Sequence, residues 1–180
     1  MTKYPVILAD PPWKFRYYGN DKSGRHTYNK YPVMELDHIC RLEPPADENC
    51  ALFIWACWPM LTDALQVITA WGFKYKTLAW DWVKATETGM SFHFGMGYYT
   101  RANTEPCLLA IRGKMPVAVH DVQALIYSPV REHSRKPDEQ YGKIERLYPD
   151  GPYLEMFARR PRPGWHVWGN EVVSDVEITA

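Results

Sequence analysis

Asp10-Pro11-Pro12-Trp13 is the stretch of this sequence best suited to chemistry. A short β-branched run, Tyr4 to Ala9 (YPVILA), reads as a buried strand and delivers the chain straight to it. Standing alone, Asp-Pro-Pro is a turn starter. Placed directly beyond the carboxyl end of a strand, where open α/β sheets gather their ligands, it becomes a candidate site. The prolines restrict the backbone and carry no N–H, so their carbonyl oxygens are open to a ligand beside the Asp10 carboxylate. That set suits an exocyclic amine on an aromatic ring, a poor nucleophile because its lone pair is delocalised into the ring. Two acceptors aimed at the amino hydrogens, Asp10 and the Pro11 carbonyl, would favour the pyramidal nitrogen of the transition state. Trp13 offers a flat face for stacking the base. In a duplex such an atom is reached by flipping the base out.

The next residues have the composition of a strand-binding surface. Between Lys14 and Tyr31 the cations Lys14, Arg16, Lys22, Arg25 and Lys30 are interleaved with Phe15, Tyr17, Tyr18, Tyr28 and Tyr31. Phosphate contact plus base stacking needs that mixture, although a solvated surface loop has the same look. Arg101, after the glycines of 85–103, is a second candidate contact.

These groups must be positioned by a scaffold. A short helix is expected within 33–42, a buried strand at Ala51 to Ala56 (ALFIWA), and a helix starting at Pro59. In that helix Leu61, Ala64, Leu65, Val67, Ile68 and Trp71 recur with helical period, and Gly72 stands at its C-terminal cap. Strands follow at Phe73 to Lys84, Pro106 to Ile111 and Ala124 to Tyr127, with a loop over Ala85 to Asn103 between the first two. Pro137 suits the first turn of a helix ending near Leu147, and Tyr153 to Phe157 and Trp165 to Trp168 close the series as strands. Alternating strands and helices predict an α/β fold with a sheet covered on both faces.

The 180 residues, 46% hydrophobic and 23% charged, suit a single globular domain without a separate target-recognition domain. The 21 basic residues cancel the 21 acidic ones, so any polyanion site must be local. Cys50 to Leu61, the longest apolar stretch, is interrupted by Pro59 and falls short of the roughly 20 residues of a membrane span. The N-terminus lacks a signal-peptide pattern, so a cytoplasmic protein of a bacterial or phage-infected cell is expected. Cys40, Cys50, Cys57 and Cys107 show no C-x-x-C spacing, so reduced thiols and no metal site are expected.

Asp-Pro-Pro-Trp after a hydrophobic strand resembles the catalytic motif of S-adenosylmethionine-dependent N6-adenine methyltransferases. The resemblance is to the group containing the messenger-RNA adenosine methyltransferase and its bacterial and phage DNA-modifying relatives. It extends to Leu52-Phe53-Ile54-Trp55, to Gly97 through Glu105 (GYYTRANTE), to His133-Ser134-Arg135-Lys136-Pro137-Asp138-Glu139 with Tyr141, and to Glu155–Phe157 followed by Gly164-Trp165 and Trp168-Gly169-Asn170-Glu171. It implies a Rossmann-like methyltransferase fold with a mostly parallel sheet and the β-type motif order, in which catalytic tetrapeptide precedes cofactor block. It implies S-adenosylmethionine as cofactor, Lys136 facing its methionine carboxylate, Asp10 its ammonium, and Glu155, Phe157, Arg159, Asn170 and Glu171 around ribose and adenine. Relatives with an upstream segment use it to hold that adenine, so this part of the pocket is expected to be built differently here. Ala158, where eukaryotic relatives carry Gly, points to a prokaryotic or phage-like branch. The leading expectation is N6-adenine methylation of DNA at a short target sequence. RNA adenosine methylation, N4-cytosine methylation and a catalytically silent nucleic-acid-binding subunit stay open. So does a homodimer or heterodimer.

Overall fold

The computed structural model describes residues 2–14, 33–95, 97, 99–132 and 135–179. Seven strands form one sheet: β1 (Tyr4–Ala9), β2 (Ala46–Trp55), β3 (Lys74–Ala85), β4 (Thr104–Arg112), β5 (Leu125–Pro129), β6 (Tyr153–Met156) and β7 (Trp165–Trp168). Their spatial order is β5-β3-β4-β2-β1-β6-β7. β1 pairs in parallel with β2 and β6, β6 with β7, and β3 with β5, whereas β4 runs antiparallel to β2 and β3. Parallel pairing predominates, as expected, with one reversed strand at the centre.

Alternation along β2 divides the core. Leu52, Ile54 and Ala56 belong to one buried cluster, and Ala51, Phe53 and Trp55 to the other, because successive strand side chains point to opposite faces. Both faces must therefore be covered. α1 (Leu36–Arg41) and α2 (Leu61–Ala70) pack on the first through Ile39, Ala64, Val67 and Ile68. α3 (Glu139–Leu147) closes the second through Ile144, with Tyr148 just beyond its end. Fully burying one such aliphatic side chain is worth about 1.5–3 kcal/mol, so these stripes fix the helices' rotation.

The helix signals hold with small shifts. Pro59 lies in a 3-10 turn, Trp58–Met60, which leads into α2, and Gly72 caps it at φ +77°. Pro137 initiates α3 by accepting the Gln140 N–H, although regular helix begins at Glu139. Part of 85–103 is more ordered than a bare loop: Ala85 bridges Phe92, and Thr86 N–H donates to Ser91 O at 2.8 Å.

Tryptophans fasten these layers as much as they fill them. Trp71 Nε1 donates to Ile39 O, tying α2's end to α1, while Trp55 Nε1 donates to the buried Gln140 Oε1, tying β2 to α3. Gly169, just past β7, permits a close approach of two backbone segments. A Cβ there would stand 2.2 Å from Ala158 O, and this backbone is held by Ala158 N–H donating to Trp168 O. Gly169→Ala is expected to cost about 1–3 kcal/mol, read as a lower urea midpoint with unchanged slope. An unchanged midpoint would mean that the two segments are not held together.

Candidate active site

The sheet's topology delivers chemistry to one edge. β1, β2, β6 and β7 are parallel and end there with Ala9, Trp55, Met156 and Trp168. Antiparallel β4 begins there, and β3, reversed again relative to β4, ends there. Asp10, Glu105 and Lys84 therefore meet although they are far apart in sequence.

Their meeting point is Lys136. Its Nζ lies 2.8 Å from Asp10 Oδ2 and 3.1 Å from Glu105 Oε1, and it faces the Trp55 ring at 5.5 Å. Glu105 takes a second cation, Lys84 Nζ, at 2.7 Å. The Lys136 side chain is 9% exposed, Glu105 12% and Asp10 25%. Three ionised groups this far from water persist only by neutralising one another. Burial raises the Asp10 carboxyl above the usual carboxylate range; Lys136 opposes that and Glu105 adds to it. Burial also pushes Glu105 upward, but its two lysines outweigh this and hold it low. For Lys136, desolvation favours loss of the proton, yet Asp10 and Glu105 hold the ammonium well above its ordinary pKa.

Asp10 thus has a structural part as well as a chemical one: it is half of a buried ion pair. Among the described residues, Lys136 spends two of its three N–H donors on carboxylates, which leaves one for a ligand.

The tetrapeptide is also more constrained than its sequence suggests. Pro11 O accepts the Trp13 N–H at 2.8 Å, and Pro12 O accepts the Met34 N–H at 2.9 Å. Each carbonyl thus keeps one lone pair free. Trp13 is 5% exposed, packs in the α1/α2 cluster and donates its Nε1–H to Trp55 O at 3.0 Å. Its ring serves the core, and the broad stacking face expected of it is covered apart from the part lining a second hollow with Met34 and Met60.

Beside Asp10 opens a cavity of about 360 Å³ lined by Asp10, Lys136, Glu155, Phe157, Arg159 and Glu171 among others. Six of the seven residues expected around a cofactor are therefore together. Asn170 is exposed and outside the lining. Glu155 Oε2 accepts the Tyr141 hydroxyl at 2.9 Å, and burial pushes the Glu155 carboxyl up to about 7 although that hydrogen bond pulls it down. Arg159 pairs with Glu171 at 2.9 Å. Phe157 adopts φ +63°, a conformation that costs a non-glycine residue energy, and its ring meets Trp168 edge-on. The rim is ionic: Arg135 joins Asp138 and Glu132, and Arg160 reaches Glu132 at 2.8 Å from the opposite segment.

The expected nucleic-acid contacts divide. Lys14 pairs with Glu35, and Arg101 is exposed. Arg16, Arg25, Tyr28 and Tyr31 lie outside the described residues. Sequence reasoning missed Lys84, gave Glu105 no role, and overlooked Gln140 as the anchor of Trp55. The signal was a charged residue at one end of three strand runs, Asp10 after β1, Lys84 in the end of β3 and Glu105 at the start of β4, but pairing them needs the strand order.

Comparison with known proteins agrees with this site. Residues 4–171 match the MT-A70 family. The chain is 32% identical over 192 residues to "Type II methyltransferase M.MunI" of Mycoplasma sp, covering 94% of this chain and 78% of that protein. It is 28% identical over 177 residues to "N(6)-adenosine-methyltransferase catalytic subunit METTL3" of Homo sapiens, covering 96% of this chain and 29% of that one. A plant relative, "N(6)-adenosine-methyltransferase MT-A70-like" of Arabidopsis thaliana, is 30% identical, with 24% of its length covered. With Asp10, Lys136 and the Glu155 cavity all inside the matched span, the chain belongs to the MT-A70 family.

Proposed function

We propose that the protein transfers a methyl group from S-adenosylmethionine to N6 of adenine in DNA. The observation that carries this reading is the Asp10 carboxylate, fixed by Lys136 at the end of β1 and bordering the 360 Å³ cavity. The donor set suits a zwitterionic nucleoside. The remaining Lys136 N–H would take the amino-acid carboxylate, Asp10 its ammonium, and Glu155 the ribose hydroxyls, with Phe157 against the purine. When bound, the cofactor supplies a methyl carbon made electrophilic by its sulfonium.

The chain's own part is to ready the amine. Asp10 accepts one amino hydrogen and the free lone pair of Pro11 O the other, which draws the nitrogen lone pair out of conjugation. When the amine takes the methyl group, positive charge would gather on its nitrogen beside the Asp10 carboxylate. The methylated nitrogen then loses its proton to Asp10 Oδ, a better acceptor than a solvated carboxylate because burial has raised its pKa.

DNA is favoured because a relative covered over 78% of its own length is named a type II methyltransferase, whereas the chain spans under a third of the METTL3 sequence. Relatives whose names begin with N(6)-adenosine-methyltransferase support RNA as the second reading. Incubation with labelled cofactor and separate DNA and RNA oligonucleotides, followed by nucleoside mass spectrometry, should yield N6-methyladenine in DNA. Label in RNA alone would move the reading to RNA, and N4-methylcytosine alone would overturn it.

Glu155 makes a pH-dependent prediction. It is protonated below about 7 and would bind hydroxyl donors as the carboxylate. Cofactor affinity should therefore rise about tenfold between pH 6 and 8, read by calorimetry. Tyr141→Phe removes a donor to the carboxylate and should shift this rise to higher pH. Folding stability runs the other way: the folded protein holds this proton more tightly than the unfolded chain, so Glu155's contribution falls as pH climbs from about 4.5 to about 7. A flat affinity profile would remove Glu155 from the ribose.

A further inference from the structure

Of the eight tryptophans, all described, six are buried and Trp168 packs on Phe157. Trp58 alone is an exposed one, at 47%. We propose that Trp58 is the platform on which the nucleobase next to the target adenine stacks, an inference that rests on the function proposed above.

Trp58 is joined to the reactive cluster by three short steps. Its Nε1–H donates to Thr104 Oγ1 at 2.8 Å, Thr104 is followed by Glu105, and Glu105 binds the same Lys136 that binds Asp10. Its neighbour Cys57 feels the charges of Glu105, Lys136 and Asp10 directly. Thr104 is anchored in turn as the first residue of β4, paired with Val83 of β3. The indole is therefore held from below by its only polar atom, and what it offers outward is an aromatic face. Pro59 stiffens the backbone beneath it.

Its position excludes a cofactor role. Trp58 does not line the 360 Å³ cavity, while Met60, two residues on, lines the hollow beneath Trp13. The exposed ring thus stands outside the cofactor cavity but one residue from Glu105 of the reactive cluster, a place where a substrate strand would pass. A π-face without a free polar atom stacks on any base, so Trp58 would add affinity and fix the strand's position with little sequence preference.

The test uses an oligonucleotide that the parent protein methylates, with 2-aminopurine placed on either side of the target. In the parent, binding should quench the fluorophore on one side. Trp58→Ala should lose that quench and weaken oligonucleotide binding about tenfold to a hundredfold, with the cofactor dissociation constant unchanged. Trp58→Phe should stay within about threefold of the parent, and Thr104→Val, which frees the ring without removing it, should fall between. Trp58→Ala binding the oligonucleotide as tightly as the parent would overturn the platform and leave the proposed function intact. So would an equal loss of cofactor affinity, which would show a collapsed rim. A parent that binds cofactor yet methylates no adenine in either nucleic acid would overturn both.

Discussion

Asp10→Ala is expected to transfer methyl groups at less than about one-thousandth of the parent rate, because the variant loses both the acceptor that readies the amine and the group that takes its proton. It should also lose stability, since the structure makes Asp10 one of two carboxylates on a buried ammonium. With Glu105 still in place and Asp10 at 25% exposure, that cost is about 1–3 kcal/mol, against the roughly 5–15 kcal/mol that holds a typical domain. Activity and urea midpoint must therefore be measured on the same preparation. A folded variant within tenfold of the parent rate would remove Asp10 from the chemistry.

Lys136→Ala should have the largest effect on the fold. It leaves Asp10 and Glu105 facing each other without their shared cation, Lys84 still pairing Glu105 and Arg159 acting weakly on Asp10, and breaking such a buried pair costs about 3–5 kcal/mol near neutral pH. The sign of its pH dependence is specific. In the parent, Glu105 is held below its ordinary pKa, so its stabilisation is complete above the unfolded carboxylate range and fades as pH falls. In the variant, both carboxyls are pushed up instead, and the folded state gains protons in acid. The stability gap between the two proteins should thus be widest near pH 8 and narrow toward pH 5. A gap independent of pH would show that Lys136 is not the counter-ion of this cluster. Cofactor affinity should fall as well, through the lost third N–H, but binding must be compared where both proteins are folded.

Much of this was legible before any coordinates. The unbroken apolar run ALFIWA, the helical recurrence from Leu61 to Trp71 and the stop at Gly72 report local backbone preference and burial, which depend on residues near in sequence. Asp10 was legible for the same reason, because a carboxylate and two prolines after a buried strand are a local pattern. The block that the family resemblance implies for the cofactor consists mostly of near neighbours, and six of its seven residues line one cavity.

The electrostatics of the site were not. Whether Asp10 stands in water or in an ion pair depends on Lys136, 126 residues away, and on Glu105. Glu105 reaches that point only because β4 runs antiparallel between β2 and β3, a register no local pattern encodes. Trp13 and Trp58 look alike as exposed-loop aromatics in the sequence, yet packing buries one and leaves the other bare. Residue types and their near spacing thus determined which chemistry this chain carries. Long-range strand order decided which charges meet, and through desolvation and pairing, what state they hold.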